Sequence, residues 1–163
     1  MILVATGASQ FPFDRLLRAV PPGEAGERVV VQHGCSAVEP AGAECVDFLP
    51  MPDLAALVRE ARVVVTHAGV GSILLCLTNG RRPVVVPRLK RFGETVDDHQ
   101  LESARRFAEA GLVTLVEDPA ELPSALAAAG ESAVAPPSGE SGLVRELRTY
   151  LQETIEPRSA VHR

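Results

Sequence analysis

Short apolar runs alternate along the chain with stretches whose apolar residues recur every three or four positions, from the first residue to about residue 128. Runs of the first kind predict strands and stretches of the second predict helices, which together describe strands wound by crossover helices into a parallel sheet. The pattern predicts strands at residues 2–6, 28–32, 44–48, 63–66, 84–86 and 112–116. Between them lie a helix opening near Pro12 with Leu16, Leu17 and Val20 facing the sheet, and a helix capped by Asp53 carrying Leu54, Leu57, Val58 and Ala61. Two more follow, one with Ile73, Leu74 and Leu77, the other over residues 97–110 and stopped by Gly111. The Val63-Val64-Val65 and Val84-Val85-Val86 runs have no polar alternation, as expected of central parallel strands covered on both faces.

The later part of the chain changes character. A short Ala-rich helix ends near Gly130, residues 131–142 read as a flexible connection, and residues 143–156 predict an amphipathic helix with Leu143, Leu147, Tyr150 and Leu151 on one stripe. Residues 157–163 read as a tail. The expected organisation is therefore one domain over 1–130, followed by connection, helix and tail.

Composition narrows the functional classes. A net charge of −5 from 16 basic and 21 acidic residues offers no general attraction to nucleic acid or anionic lipid. No run approaches the roughly 20 apolar residues of a membrane span, and the first residues lack a signal peptide's basic start, so a cytoplasmic location is expected. Cys35, Cys45 and Cys76 show no paired spacing and read as buried small side chains rather than a disulfide frame or zinc site.

In open parallel sheets ligands collect beyond the carboxyl ends of the strands, and three turns there carry candidate chemistry. His67-Ala68-Gly69-Val70-Gly71-Ser72 runs directly into a helix. Its two glycines allow close backbone approach, the helix start presents N–H groups, and Ser72 adds a hydroxyl, a composition suited to phosphate. The Gly-Lys-Ser/Thr ending of a P-loop and the three-glycine dinucleotide fingerprint are both missing. His67, at the strand end, is placed to donate to a phosphate oxygen, neutral or protonated. Thr6-Gly7-Ala8-Ser9-Gln10 is a second small, hydroxyl-bearing turn. The third, over residues 88–100, holds Arg88, Lys90, Arg91, Glu94, Asp97, Asp98, His99 and Gln100, and is too polar and long for a simple connection. Gln100 suits paired sugar hydroxyls. No Ser–His–Asp set or metal-spaced cluster is evident, and no catalytic residue is named.

Four segments carry a family resemblance: Gly7 with residues 10–16, residues 67–74, residues 80–87, and Val96-Asp97-Asp98-His99-Gln100. They resemble the donor-binding C-terminal half of family 28 glycosyltransferases, in order over residues 1 to about 118, and most of all the small cytosolic subunits of split UDP-sugar transferases. The resemblance implies a Rossmann-like α/β half-domain of the GT-B architecture, with helices on both faces of a parallel sheet. It implies an inverting sugar transfer from a UDP-sugar to a lipid-linked or polysaccharide-precursor acceptor, without metal or other cofactor. The partner it implies is a membrane-associated subunit of the GT-B N-terminal type, which would draw this chain to the inner membrane face. By position, His67, Gly69, Gly71, Ser72, Gly7 and Ser9 would hold the diphosphate, and His99 and Gln100 would face the donor sugar. Leu49 to Met51 would meet the uracil. One departure stands out: where the family has a ribose-binding Glu, three residues after Ser72, this chain has Leu75, and Glu94 is the candidate replacement. That departure keeps a second reading open, a nucleotide-sugar binding or regulatory module without transfer activity.

Overall fold

Strands β1 (Ile2–Ala5), β2 (Val29–Gln32), β3 (Glu44–Val46), β4 (Val63–His67), β5 (Val84–Val86) and β6 (Thr114–Leu115) pair in parallel throughout, in the order β3-β2-β1-β4-β5-β6. Helices α1 (Asp14–Ala19), α2 (Met51–Glu60), α3 (Val70–Thr78), α4 (His99–Glu109) and α5 (Leu122–Ala128) complete the framework, with short 3-10 turns at Lys90–Phe92 and Pro119–Glu121. The computed structural model describes residues 1–22 and 26–129. The expected connection at 131–142, helix at 143–156 and tail at 157–163 lie outside the described residues.

The register explains the two-sided core. Leu3 lies between Val30 and Val64, and Val4 between Val31 and Val65. Since side chains alternate faces along a strand, this aligns rows of apolar residues on opposite sides of the sheet. Val4, Val31 and Val65 join Phe13, Leu16 and Leu17 from α1 and Leu122 and Leu126 from α5 in one cluster. On the other side, Leu3, Val30 and Val64 pack with Val58 of α2, and Val85 packs with Ile73 and Leu77 of α3 and Phe107 of α4. The doubly covered parallel sheet expected from the sequence is the one found, because unbroken Val runs bury every residue.

Boundaries shift where local signals were read too literally. Helix α1 opens at Asp14, with Phe13 as its N-cap, and Pro12 lies outside it. Helix α2 begins at Met51 behind Pro50, so Asp53 sits in its first turn rather than capping it, where its charge still faces the positive helix end. β3 stops at Val46 and leaves Phe48 64% exposed, and α4 starts at His99 rather than Asp97. Cys76 is buried as expected and Cys45 partly so, but Cys35 is exposed at the end of β2, its thiol donating to the Ser9 carbonyl at 3.4 Å. Among the described residues no helix is long and apolar enough to cross a membrane.

Candidate functional site

The strand order reverses between β1 and β4: β2 and β3 lie to one side of β1, β5 and β6 to the far side of β4. The turns leaving these two central strands diverge to opposite faces and open a crevice at their carboxyl ends, the position where open α/β sheets bind ligands. Gly7 follows β1, and His67 ends β4.

His67 organises this crevice. The Gly69 N–H donates to Nδ1 at 3.0 Å, and Nε2 faces Ser72 Oγ at 3.0 Å. With Nδ1 accepting, the neutral ring carries its proton on Nε2 and donates it to Ser72, leaving the Ser72 hydroxyl hydrogen available for an outside acceptor. Burial first, then the Arg88 guanidinium, push His67 down to about 4, while a hydrogen bond with Gln100 acts in the opposite direction. The imidazole is therefore neutral at physiological pH. Its role is to orient the turn: both ring nitrogens are engaged by protein groups, and the group left with a hydrogen for an outside acceptor is the Ser72 hydroxyl.

The glycines have distinct reasons for being there. A Cβ on Gly7, whose φ is +80°, or on Gly69 would run into the His67 ring, so both turns close against the imidazole only without side chains. Gly71 is different: a Cβ there meets nothing within 4 Å. Gly69 caps α3 and its carbonyl accepts from Ser72 and Ile73, while the N–H groups that open α3 have no acceptor within the helix. The result is a helix N-terminus with an uncovered approach at Gly71, a positive dipole end and one free hydroxyl hydrogen, an arrangement that holds an anion.

Gly7, His67, Gly69, Ser72 and Gln100 thus come together from turns up to 93 positions apart in the sequence. Gln100, in the first turn of α4, accepts from the Arg88 backbone N–H at 3.4 Å as well as contacting His67. Ser9 lies on the Gly7 turn, but its hydroxyl accepts from the Phe11 N–H at 3.2 Å. His99 points its side chain outward, 83% exposed, with Asp97 at 3.8 Å. Leu49 and Met51 sit beyond β3, two strands from β1 in the sheet, Met51 being 63% exposed.

Glu94, the expected ribose acceptor, is turned to partners within the protein. It is 4% exposed; Oε1 and Oε2 take the Arg15 guanidinium at 2.9 and 2.8 Å, and Oε2 also accepts from the Leu89 N–H at 3.0 Å. Its charge is committed within the protein. Leu75, at the position of the family's Glu, packs on the cluster of Leu3, Val30, Val58 and Val64 beside Leu54 and Leu57. Neither position offers ribose a free carboxylate.

Several supporting residues were not singled out from the sequence. The Gln32 amide donates to the Gly7 carbonyl at 3.3 Å, and Gly34, with φ of +60°, lets β2 close on that same carbonyl. Arg88 is buried beneath the site, and its signal was legible as one charge inside the apolar run of residues 83–89. A cavity of about 950 Å³ opens elsewhere, between α1, the 91–94 loop and residues 117–120, and touches none of the five clustered residues. Among the described residues no three His, Cys, Asp or Glu side chains are grouped to hold a metal ion.

Comparisons with known proteins bear on the family and the fold. The UDP-N-acetylglucosamine transferase subunit ALG13 of Yarrowia lipolytica is 42% identical over 55 residues, covering 34% of this chain and 26% of that protein. The solution structure of an ALG13 superposes with a TM-score of 0.58 at 20% identity, over 89% of this chain and 92% of that one. The kitacinnamycin glycosyltransferase gives 0.58 at 23% identity, over 92% of this chain and 40% of its own, and Acinetobacter baumannii MurG gives 0.57 at 23%, over 80% and 42%. These structures share the fold, a Rossmann-like half-domain of GT-B type, and the chain spans about a quarter of the curated relative it matches. The model of the glycosyltransferase family 28 C-terminal domain matches residues 1–140, and the chain belongs to that family.

Proposed function

We propose that this chain is the donor-binding half of an inverting glycosyltransferase, holding a UDP-sugar and working with a separate acceptor-binding chain. The observation that carries the proposal is the His67-centred turn, where Gly71 is open at the start of α3 and Ser72 keeps one hydroxyl hydrogen for a ligand. The diphosphate would lie across Gly69, Gly71 and Ser72, with Gly7 opposite and Gln100 toward the sugar. In a reaction of this type the diphosphate leaves as the acceptor hydroxyl attacks, so hydrogen-bond donors and a helix dipole at the leaving group stabilise the charge that develops. The general base that takes the acceptor proton is assigned to the partner, because the neutral His67 is already engaged on both ring nitrogens.

Exposed apolar residues support a partner at this edge. The large hydrophobics left exposed among the described residues are Phe48, Met51, Phe92 and Val96: Phe48 and Met51, the first residue of α2, follow β3, and Phe92 and Val96 follow β5, at the same carboxyl edge as the site. A second chain covering that edge would close the cleft and bury them. The proposed partner is membrane-associated and of the GT-B N-terminal type, holding a lipid-linked or polysaccharide-precursor acceptor at the cytoplasmic membrane face.

The second reading, a binding or regulatory module without transfer activity, is favoured by one observation: position 75 carries no carboxylate, and Glu94 is already bonded to Arg15 and the Leu89 N–H. Calorimetric titration with UDP, followed by sugar-transfer assays with and without the chain encoded beside this one, separates the two. Transfer that appears only with the partner supports the first reading. UDP binding with no transfer under either condition supports the second, and absence of UDP binding removes both.

A further inference from the structure

Arg88 is 2% exposed, yet neither of its terminal nitrogens meets a carboxylate. Nη1 donates to the carbonyls of Phe11 at 2.8 Å, Pro12 at 3.3 Å and Glu94 at 3.2 Å, and Nη2 donates to the Thr6 carbonyl at 2.8 Å. The guanidinium lies over the Phe13 ring, 4.5 Å from its centroid, and Nε has no acceptor. Burying a cation against carbonyl dipoles, with one N–H unpaired, is expensive compared with an apolar side chain of similar volume. Packing alone therefore does not account for an arginine here.

The acceptors account for it. Thr6 immediately precedes Gly7; Phe11 and Pro12 end the connection from that turn to α1; Glu94 lies in the loop that leads to Gln100. The Arg88 backbone N–H is itself bonded to the Gln100 side chain. A planar fork with donors on both terminal nitrogens reaches these segments simultaneously, which the point charge of a lysine does not. We propose that Arg88 is a positioning residue of the nucleotide-sugar site, its guanidinium fixing the distance between the Gly7 turn on one wall and the Gln100 loop on the other.

This inference rests on the donor-site reading for its consequence, although not for its geometry. Between the two walls stands the His67 ring, in contact with Gly7, Gly69, Ser72 and Gln100. If Arg88 sets the spacing of the walls, the ring's surroundings change when the fork is removed. The same guanidinium is the charged group that acts on His67, adding to the effect of burial in keeping it neutral. His67 is thus a reporter, within the full chain, of whether the walls are in place.

The test uses the 163-residue chain as wild type, Arg88→Gln and Arg88→Lys, read by ring-nitrogen NMR of His67, UDP calorimetry and thermal denaturation. Arg88→Gln is expected to weaken UDP at least tenfold, to disturb the Nδ1-accepting, Nε2-protonated signature of His67, and to let His67 titrate closer to its ordinary value of 6.5. Arg88→Lys keeps the charge without the fork: His67 stays low in its titration while UDP is still weakened. A Gln variant that loses thermal stability but keeps both the wild-type His67 signature and the UDP affinity overturns the proposal, because Arg88 is then only packing.

Should both variants fail to fold, the wild-type guanidinium decides. Separate, exchange-protected Nη hydrogens report a locked fork, and a single averaged signal, showing a freely turning group, also overturns it. Should wild type bind no UDP, the donor reading fails by itself, and the His67 signature in Arg88→Gln still decides whether Arg88 positions the walls.

Discussion

Arg15 and Glu94 stand 79 positions apart and meet in a two-pronged ion pair, Nε to Oε1 at 2.9 Å and Nη2 to Oε2 at 2.8 Å. Arg15 also donates to the Pro87 carbonyl and lies over the Phe92 ring, so α1 is fastened to the loop after β5. The pair is largely enclosed, with side-chain exposures of 18% and 5%. Glu94→Ala leaves Arg15 and the Leu89 N–H without their carboxylate and should lower folding stability by about 3 kcal/mol. Urea denaturation measures this. UDP and inorganic pyrophosphate should weaken together in this variant, since its effect comes through the loop. A loss confined to UDP would return Glu94 to the ribose.

The glycines of the two turns should respond unequally to an added methyl. Gly7→Ala and Gly69→Ala force a Cβ into the His67 ring, the first also at positive φ, and should each destabilise the fold by roughly 1–3 kcal/mol. Gly71→Ala adds its methyl to open space and should leave the denaturation midpoint nearly unchanged. Equal effects at all three would contradict the placement of the ring.

Because Gly71 is unobstructed, Gly71→Asp tests the anion site without disturbing the core. An added carboxylate at a helix start is favourable to the helix but repels a diphosphate. The expected result is a UDP affinity lower by at least about tenfold, near 1.4 kcal/mol, with an unchanged melting temperature. Calorimetry showing equal affinity in both proteins would falsify the assignment of the site.

Leu75→Glu restores a carboxylate where the family places one. A charged hydrogen bond contributes about 1.5–3 kcal/mol, so UDP should tighten by roughly tenfold to a hundredfold, with some stability lost as a half-buried Leu leaves its cluster. No gain in UDP affinity would show that the ribose pocket has a different shape.

Acid should weaken the protein in two separate windows. His67 is lowered from 6.5 to about 4 in the folded chain, so the unfolded chain binds the extra proton first and stability falls as pH drops from about 6.5 toward 4. Glu27 is held down to about 2 from 4.5, chiefly by its hydrogen bond with Arg62, with the amino terminus also paired to it at 3.2 Å. Its contribution is complete above 4.5 and is lost as pH falls toward 2. Denaturation midpoints measured against pH should show both steps, and His67→Asn should flatten the upper one alone.

Residue pattern by itself determined the sheet and the turns that matter. Val63-Val64-Val65 and Val84-Val85-Val86 read as central strands because a strand covered on both faces has no polar side, and Gly69 with Gly71 ahead of a helical stretch marked a turn of the composition that suits an anion. These signals are local, carried by residues within one element. Tertiary structure decided what each polar side chain does. Glu94 looked free in a polar loop, but folding set Arg15 and the Leu89 N–H against it, so its charge is spent on fastening that loop. His67 looked like a donor to phosphate, but Gly69 and Ser72 take both ring nitrogens. Arg88 was one charge among several until four carbonyls closed on it. Hydrophobic periodicity reports which face of an element is buried, whereas a hydrogen bond depends on the position of a partner that the chain brings in from tens of residues away.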